Sequence, residues 1–402
     1  MSLALAPTEK VVNREDGFLV IDVSIVIPCL NEVETIGSVV ENARSALRLI
    51  QKKYELSGEV IVADNGSTDG SVELAQKSGA RIEYVAKKGY GAAIRGGIAG
   101  STGRFIIMGD ADGAHNFHDA VPMIGKLLSG IELCMGSRFK GHISPGSMPF
   151  WNRYVGNPLL TGVLNALFRS GMSDAHCGLR AFTREAFGKL KLSSSGMEFA
   201  SEMLIKGSLL KMRFAELAVT QHVEGRTREP HLRPIRDGWR HLKYMLSLAP
   251  TEVFFLPSLF FFILGVAIYT ILISGASDSM QTTLGLSFGD HWVVPASMFL
   301  SLSHTLFLTG AASYFYSLAS GYREDSRGAN LLKYLCRLEF MLIQSIFLLV
   351  SALVALVCIL HGWSDQDYQN LNAIRELSLV GALSLVAFQH FFCAFLLNLF
   401  DN

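Results

Sequence analysis

Four apolar stretches dominate the end of the chain, at roughly 253–274, 292–319, 338–360 and 377–400. Each reaches or exceeds the roughly 20 residues that a helix needs to cross a bilayer. The links between them differ in charge. Residues 275–291 carry Asp278 and Asp290 and no Lys or Arg, and residues 361–374 carry Asp365 and Asp367 and again no Lys or Arg. Residues 320–337 carry Arg323, Arg327, Lys333 and Arg337. The positive-inside bias therefore predicts an integral membrane protein of four spans, with both termini and the polar half in the cytoplasm.

The 402 residues suffice for two or three domains. Mean hydropathy is +0.33, and the apolar excess lies after residue 252. Thirty-five basic residues balance thirty-five acidic ones, so no net field points to nucleic acid. The cysteines at 29, 134, 177, 336, 358 and 393 have no zinc spacing and read as reduced thiols. Residues 1–21 read as a loose tail, because Met1 to Asp22 lacks the apolar core of a signal peptide.

The polar half is organised around residues 104–116, Arg-Phe-Ile-Ile-Met-Gly-Asp-Ala-Asp-Gly-Ala-His-Asn. Phe105 to Met108 predicts a buried strand, and it ends in Asp110 and Asp112. Open α/β sheets bind ligands just past the carboxyl ends of their strands. Alternate residues of an extended chain face opposite ways, so both carboxylates serve one ion only if a turn begins here; Gly113 permits one. Hard oxygen ligands suit Mg²⁺ or Mn²⁺. A lone Asp-x-Asp is equally compatible with a solvated turn.

Other short apolar runs flank this one. Val23–Ile27, Val60–Ala63, Ile82–Val85 and Ile131–Gly136 read as strands, with helices between them. That alternation predicts a mostly parallel, Rossmann-like α/β sheet. The loops after the strands collect Glu32, Asp64, Asp69, Asp110, Asp112 and Arg138. Gly89, Gly91, Gly96 and Gly97 would let a backbone approach an anion. Gly-x-Gly follows the third strand rather than the first, so a dinucleotide site is the lesser reading.

Together these motifs resemble the family 2 glycosyltransferases of GT-A fold: Val-Ser-Ile-Val-Ile-Pro-Cys-Leu-Asn-Glu, Asp-Asn-Gly-Ser-Thr-Asp-Gly, Lys-Gly-Tyr-Gly-Ala-Ala-Ile and Gly-Asp-Ala-Asp. Met-Gly-Ser-Arg-Phe, Asp-Ala-His-Cys-Gly-Leu-Arg-Ala-Phe and Gly-Met-Glu-Phe-Ala-Ser-Glu-Met resemble the polyprenyl- and dolichyl-phosphate mannose or glucose synthase branch. The likeness covers about 22–245. It implies transfer of one hexose from a nucleotide diphosphosugar to a polyprenyl phosphate, with inversion. By the same resemblance, Pro28, Asn31 and Glu32 would border the base and ribose, and Asp64 would bind the nucleoside. Asp110 and Asp112 would hold the diphosphate and metal. Arg138 and Arg180 would meet phosphates, and Asp174 and His176 would orient the metal or the nucleophile. Relatives often carry a third ligand, Gln, where this chain has Ala114. His115, Asn116 or water can substitute for it, and His115 is otherwise an exposed turn residue.

Three further stretches bear on the acceptor. Trp151 to Phe168 forms an apolar helical face, read either as an interfacial helix for a lipid acceptor or as a helix packed on the sheet. Glu198 and Glu202 share one face of a helix over 196–210, where like charges cost a little and an exposed surface is the simple reading. Residues 226–243 form a basic collar that suits anionic lipid heads, while Arg226 or Arg228 can instead reach the donor diphosphate. The expected layout is a cytosolic GT-A domain over 22–225, a basic juxtamembrane segment over 226–252 and a membrane domain over 253–402. The four helices can serve as anchors, as a homo-oligomer interface or as part of the lipid path. Two rival readings stand: transfer to another membrane lipid such as a diacylglycerol, and a non-enzymatic sensor of nucleotide sugars.

Overall fold

Strand β1 (Val23–Cys29) is almost wholly buried, as its β-branched run demands, and the sheet grows outward from it. The computed structural model describes residues 21–227, 234–274, 289–323, 327–365 and 373–400. The expected tail, Arg228, Arg233 and most of the two acidic links lie outside these residues. The chain divides into two units, Met1–His241 and Leu242–Asn402, so the division falls inside the basic segment.

In the first unit, β2 (Gly58–Asp64), β3 (Arg81–Tyr84), β4 (Phe105–Met108), β5 (Leu133–Ile143), β6 (Arg180–Thr183) and β7 (Phe214–Gln221) complete a seven-stranded sheet of order β3-β2-β1-β4-β6-β5-β7. β1 pairs in parallel with both β2 and β4. The chain moves outward from β1 through β2 to β3, then returns to the other side of β1 for β4. The carboxyl ends of β1 and β4 thus flank a topological switch point, where open sheets leave a crevice. The sheet is mixed: β6 alone runs against its neighbours β4 and β5, while β7 lies parallel to β5. This reversal sets Arg180 beside Met108, so the chain entering β6 reaches the edge where β4 ends.

Two cores cover the sheet. α1 (Ile36–Tyr54) and α4 (Val121–Leu128) pack on one face through Ile36, Val40, Ile50, Met123 and Ile124. α3 (Tyr90–Ala99), α6 (Arg184–Leu190) and α7 (Phe199–Leu209) pack on the other through Ile94, Leu190, Phe199 and Met203. α5 (Asn157–Phe168) is partly buried. It buries Thr161, Leu164 and Phe168, while Leu159 and the preceding Phe150, Trp151 and Tyr154 stay exposed. α8 (Pro234–Ser247) turns Asp237 and His241 inward and leaves Trp239, Arg236 and Arg240 exposed.

Among its described residues the second unit contains four helices long and apolar enough to cross a membrane: Thr251–Ser274, Asp290–Ala319, Leu338–Ser364 and Ile374–Asn398. Their bounds lie within a few residues of those expected. Where hydrocarbon weakens the hydrophobic drive, polar groups join helices. His390 contacts His304 at 3.0 Å and Gln344 at 2.9 Å, and Ser345 Oγ donates to the Ala387 carbonyl. Arg375 pairs with Asp290 at 2.6 Å. All six cysteines are free thiols.

Candidate active site

The site forms because three loops leave the sheet at the switch point. β4 ends at Met108, Gly113 takes a φ of 77°, and Asp112 Oδ1 accepts from the Ala114 amide at 2.9 Å, closing the turn that the sequence required. Asp110 Oδ1 accepts from the Tyr90 hydroxyl at 2.8 Å. A Cβ on Gly178 would lie 2.0 Å from Asp110 Oδ2, so only glycine lets the chain entering β6 lie against this carboxylate. Burial raises the pKa of both aspartates, and for Asp112 the neighbouring Asp110 charge adds to it, reaching about 6.

Arg226 crosses from beyond β7 to meet them. Its Nη1 lies 2.9 Å from Glu32 Oε1, its Nη2 lies 3.6 Å from Asp112 Oδ2, and its Nε lies 2.8 Å from Glu224 Oε2. The Gly225 amide donates to the Asp112 carbonyl, which fixes the approach. One guanidinium therefore joins carboxylates from the loops after β1, β4 and β7.

The nucleoside-side residues form a second, adjoining network. Asp64 is buried and accepts from the Gly66 and Ser67 amides at 3.0 Å. Asn31 adopts a φ of 56°, its Oδ1 accepts from the Thr68 amide, and its own backbone amide donates to Ser67 Oγ. Pro28 sits in β1 opposite Ala63. Asn65 ties the loops together, binding the Val85 and Lys87 carbonyls and the Gly89 amide.

Several expected roles change. Gly89 and Gly91 are required by packing: a Cβ on either would strike the Ser195 or Ser194 carbonyl, at 2.2 and 2.6 Å. Arg180 is fully buried and donates to the carbonyls of Cys177, Ala200 and Ala175, so it braces the loop beneath Asp110 instead of facing a ligand. Asp174 grips Arg138 in a bidentate pair of 2.6 and 2.8 Å. Burial opposes its ionisation, yet the Arg138 bonds hold its carboxyl below the usual range. His115 is buried, and burial followed by the charge of Arg138 lowers its pKa to about 4. Glu202 does not lie on a surface: it is buried, 3.2 Å from Lys206, and accepts from the Ser193 and Ser194 amides. His176 lies edge-on to His241 with ring centroids 5.1 Å apart, and neither of its ring nitrogens has a hydrogen-bond partner. Burial, then His241, lowers its pKa to about 3. Sequence reasoning passed over Tyr90 and Glu224. Tyr90 had a signal, an aromatic residue between two glycines at a helix start; Glu224 had none.

No group of three or more His, Cys, Asp or Glu able to hold a metal occurs among the described residues. Two adjacent half-buried carboxylates with raised pKa values nevertheless fit Mg²⁺ or Mn²⁺, ions commonly held by one or two carboxylates and completed by substrate phosphates and water.

Residues 24–191 match Glycosyl transferase family 2, and residues 311–401 match the Glycosyltransferase family 2 C-terminal transmembrane region. The chain is 38% identical over 291 residues to the low-salt glycan biosynthesis hexosyltransferase Agl6 of Haloferax volcanii, covering 72% of this chain and 68% of that protein. It is 34% identical over 225 residues to dolichyl-phosphate beta-glucosyltransferase of Homo sapiens, covering 50% of this chain and 68% of that protein. Glucosyl-3-phosphoglycerate synthase from Mycobacterium tuberculosis, solved with Mn²⁺, UDP-glucose and phosphoglyceric acid, aligns over 58% of this chain and 84% of its own at 22% identity, with a TM-score of 0.45. The chain belongs to glycosyltransferase family 2. It is a membrane glycosyltransferase, a GT-A domain followed by the family's transmembrane region.

Proposed function

We propose that the chain transfers one hexose from a nucleotide diphosphosugar to a polyprenyl phosphate, with inversion, at the cytoplasmic face. The observation that carries this reading is the convergence of Glu32, Asp110, Asp112 and Arg226 at the switch point. Pro28, Asn31, Glu32 and Asp64 line the nucleoside side, where Asp64 retains lone pairs beyond those its own turn uses. Asp110 and Asp112 would hold Mg²⁺ or Mn²⁺, which when bound neutralises charge on the leaving diphosphate. Arg226 exchanges its carboxylate partners for diphosphate oxygens, where a guanidinium binds in bidentate fashion.

A phosphate oxygen of the acceptor attacks the anomeric carbon from the face opposite the diphosphate. The bond from that carbon to the diphosphate oxygen breaks, and the nucleoside diphosphate leaves with the electron pair. A phosphate monoester has its second pKa near ~6, so the acceptor is already an anion at neutral pH and needs no base. Asp174 suits this reading, because its tie to Arg138 leaves it a poor proton acceptor. Arg138, near the acceptor, supplies positive charge, and the exposed Phe150, Trp151 and Tyr154 suit a lipid surface. The relative named dolichyl-phosphate beta-glucosyltransferase supports a lipid phosphate acceptor.

The diacylglycerol alternative needs a base, and one observation favours it: Glu198 Oε2 is buried without a hydrogen-bond partner. The deciding experiment incubates the purified chain with labelled nucleotide sugars and either undecaprenyl phosphate or diacylglycerol. Product on the phosphate alone, surviving in Glu198→Gln, supports the proposal; product only on diacylglycerol, lost in Glu198→Gln, refutes it. Sidedness has its own test: a cysteine at Ser279 should react with an impermeant thiol reagent from outside, and one at Ser326 should not. The reverse pattern would put the site on the wrong face for its donor.

A further inference from the structure

The membrane unit holds a cavity of about 270 Å³ near the carboxyl ends of helices Asp290–Ala319 and Ile374–Asn398. Phe315, Leu397 and Phe400 give it an apolar wall, and Arg323, Lys333 and Asn398 give it three polar side chains; among the described residues none that lines it is acidic. That volume is many times the ~30 Å³ that a water occupies in the liquid. Arg323 is held in place from two sides. Its Nη2 donates to the Leu248 carbonyl at 3.3 Å, and its guanidinium carbon lies 5.4 Å from the centroid of the Tyr314 ring. Its Nε is buried and has no hydrogen-bond partner. Leaving a buried donor of a charged group unmet is costly, so the site is built to receive an acceptor. A planar guanidinium, an ammonium and an amide beside an apolar wall form the donor set for a phosphate that carries hydrocarbon chains. The basic link 320–337, which contains Arg323 and Lys333, also marks this end of the bundle as the one that faces anionic lipid heads.

We propose that this cavity binds the phosphate headgroup of an anionic bilayer phospholipid, with Arg323 and Lys333 meeting the phosphate oxygens and the acyl chains leaving along the apolar wall. The site does not depend on the catalytic reading above. Two lipid sources offer the same phosphate chemistry, a bilayer phospholipid and a polyprenyl phosphate, and the test separates them. Native mass spectrometry of the full chain would count lipids retained after incubation with phosphatidylglycerol, phosphatidylcholine, undecaprenyl phosphate or inorganic phosphate. The expected result is one phosphatidylglycerol per chain, with little phosphatidylcholine. Retention should fall about tenfold or more in Lys333→Gln and in Arg323→Gln, as loss of a charged hydrogen bond implies. Arg337→Gln, which removes an exposed cation outside the lining, should retain it. If Arg323→Gln does not fold, Lys333→Gln decides. Equal retention in the variants, equal retention of phosphatidylcholine, displacement by inorganic phosphate, or displacement by undecaprenyl phosphate at equal concentration would each overturn the assignment.

Discussion

Four carboxylates of the polar unit fall into two kinds once the chain is folded. Asp110 and Asp112 end β4; Asp174 and Glu202 sit in the chain around β6 and α7. Asp174 and Glu202 are buried, and Asp110 and Asp112 are half-buried. Asp174 and Glu202 are matched internally, by Arg138 and by Lys206 with two amides, and their pKa values fall below the usual range although burial opposes this. Asp110 and Asp112 lie close together with one tyrosine, one amide and a more distant Arg226, and their pKa values rise. Matched charge braces a loop. Like charge without a close partner is held at a cost that a proton, a bound cation or a cationic ligand group offsets.

The sharpest way to break this contrast is to remove one member of the unmatched pair. Asp112→Asn should abolish hexosyl transfer while thermal unfolding stays near that of the wild type, and EDTA should do the same reversibly with Mg²⁺ or Mn²⁺. Full turnover in either case would end the metal role. The matched cluster should answer in the opposite way. Asp174→Asn leaves the Arg138 charge buried and alone, so unfolding should cost about 3–5 kcal/mol less, measured by denaturant titration. A stable Asp174→Asn protein that lacks only activity would move Asp174 into the site.

Arg226 sharpens the comparison, since it belongs to the unmatched side. A preorganised charge of this kind is worth roughly 10²–10³ in rate, so Arg226→Ala should lose that much turnover in detergent at saturating acceptor. Arg240 is exposed on α8, and Arg240→Ala should change turnover several-fold at most, in line with ~1 kcal/mol per cation near an anionic surface. Equal small losses in both would remove Arg226 from catalysis.

The smallest effect is in pH. Asp112 has a folded pKa of about 6, above its unfolded value, so the folded state binds the proton more tightly and stability gains as pH falls from about 7 toward 4. Asp174 is shifted the other way, so its contribution is present above the unfolded value and is lost as pH falls through the lower folded one. Stability of the wild type relative to Asp112→Asn, measured from pH 7 to 5, should therefore rise on acidification. A flat difference would mean that Asp112 is not raised.

Much of this was legible in the chain itself. The β-branched run of β1, the apolar run of β4, the four long apolar helices and the Asp-x-Asp turn rest on local periodicity and composition, which act over a few residues. The family motifs placed Glu32, Asp64, Asp110, Asp112 and Arg226 on one side of the sheet. Partner choice was not legible, because it depends on contacts between distant residues. Arg138 finds Asp174 thirty-six positions away, and Glu32 finds Arg226 one hundred and ninety-four positions away. Gly89 and Gly91 read as room for a ligand, and nothing local shows that the carbonyls of Ser194 and Ser195 also leave no space for a side chain there. The reversal of β6 turns Arg180 from an expected ligand into a buried brace. Residue type and spacing determined which elements form and which charges lie at the sheet edge. Only the tertiary structure decided which of those charges are neutralised by the protein and which are left for a ligand, because a charge deep in a fold is set by its neighbours in space.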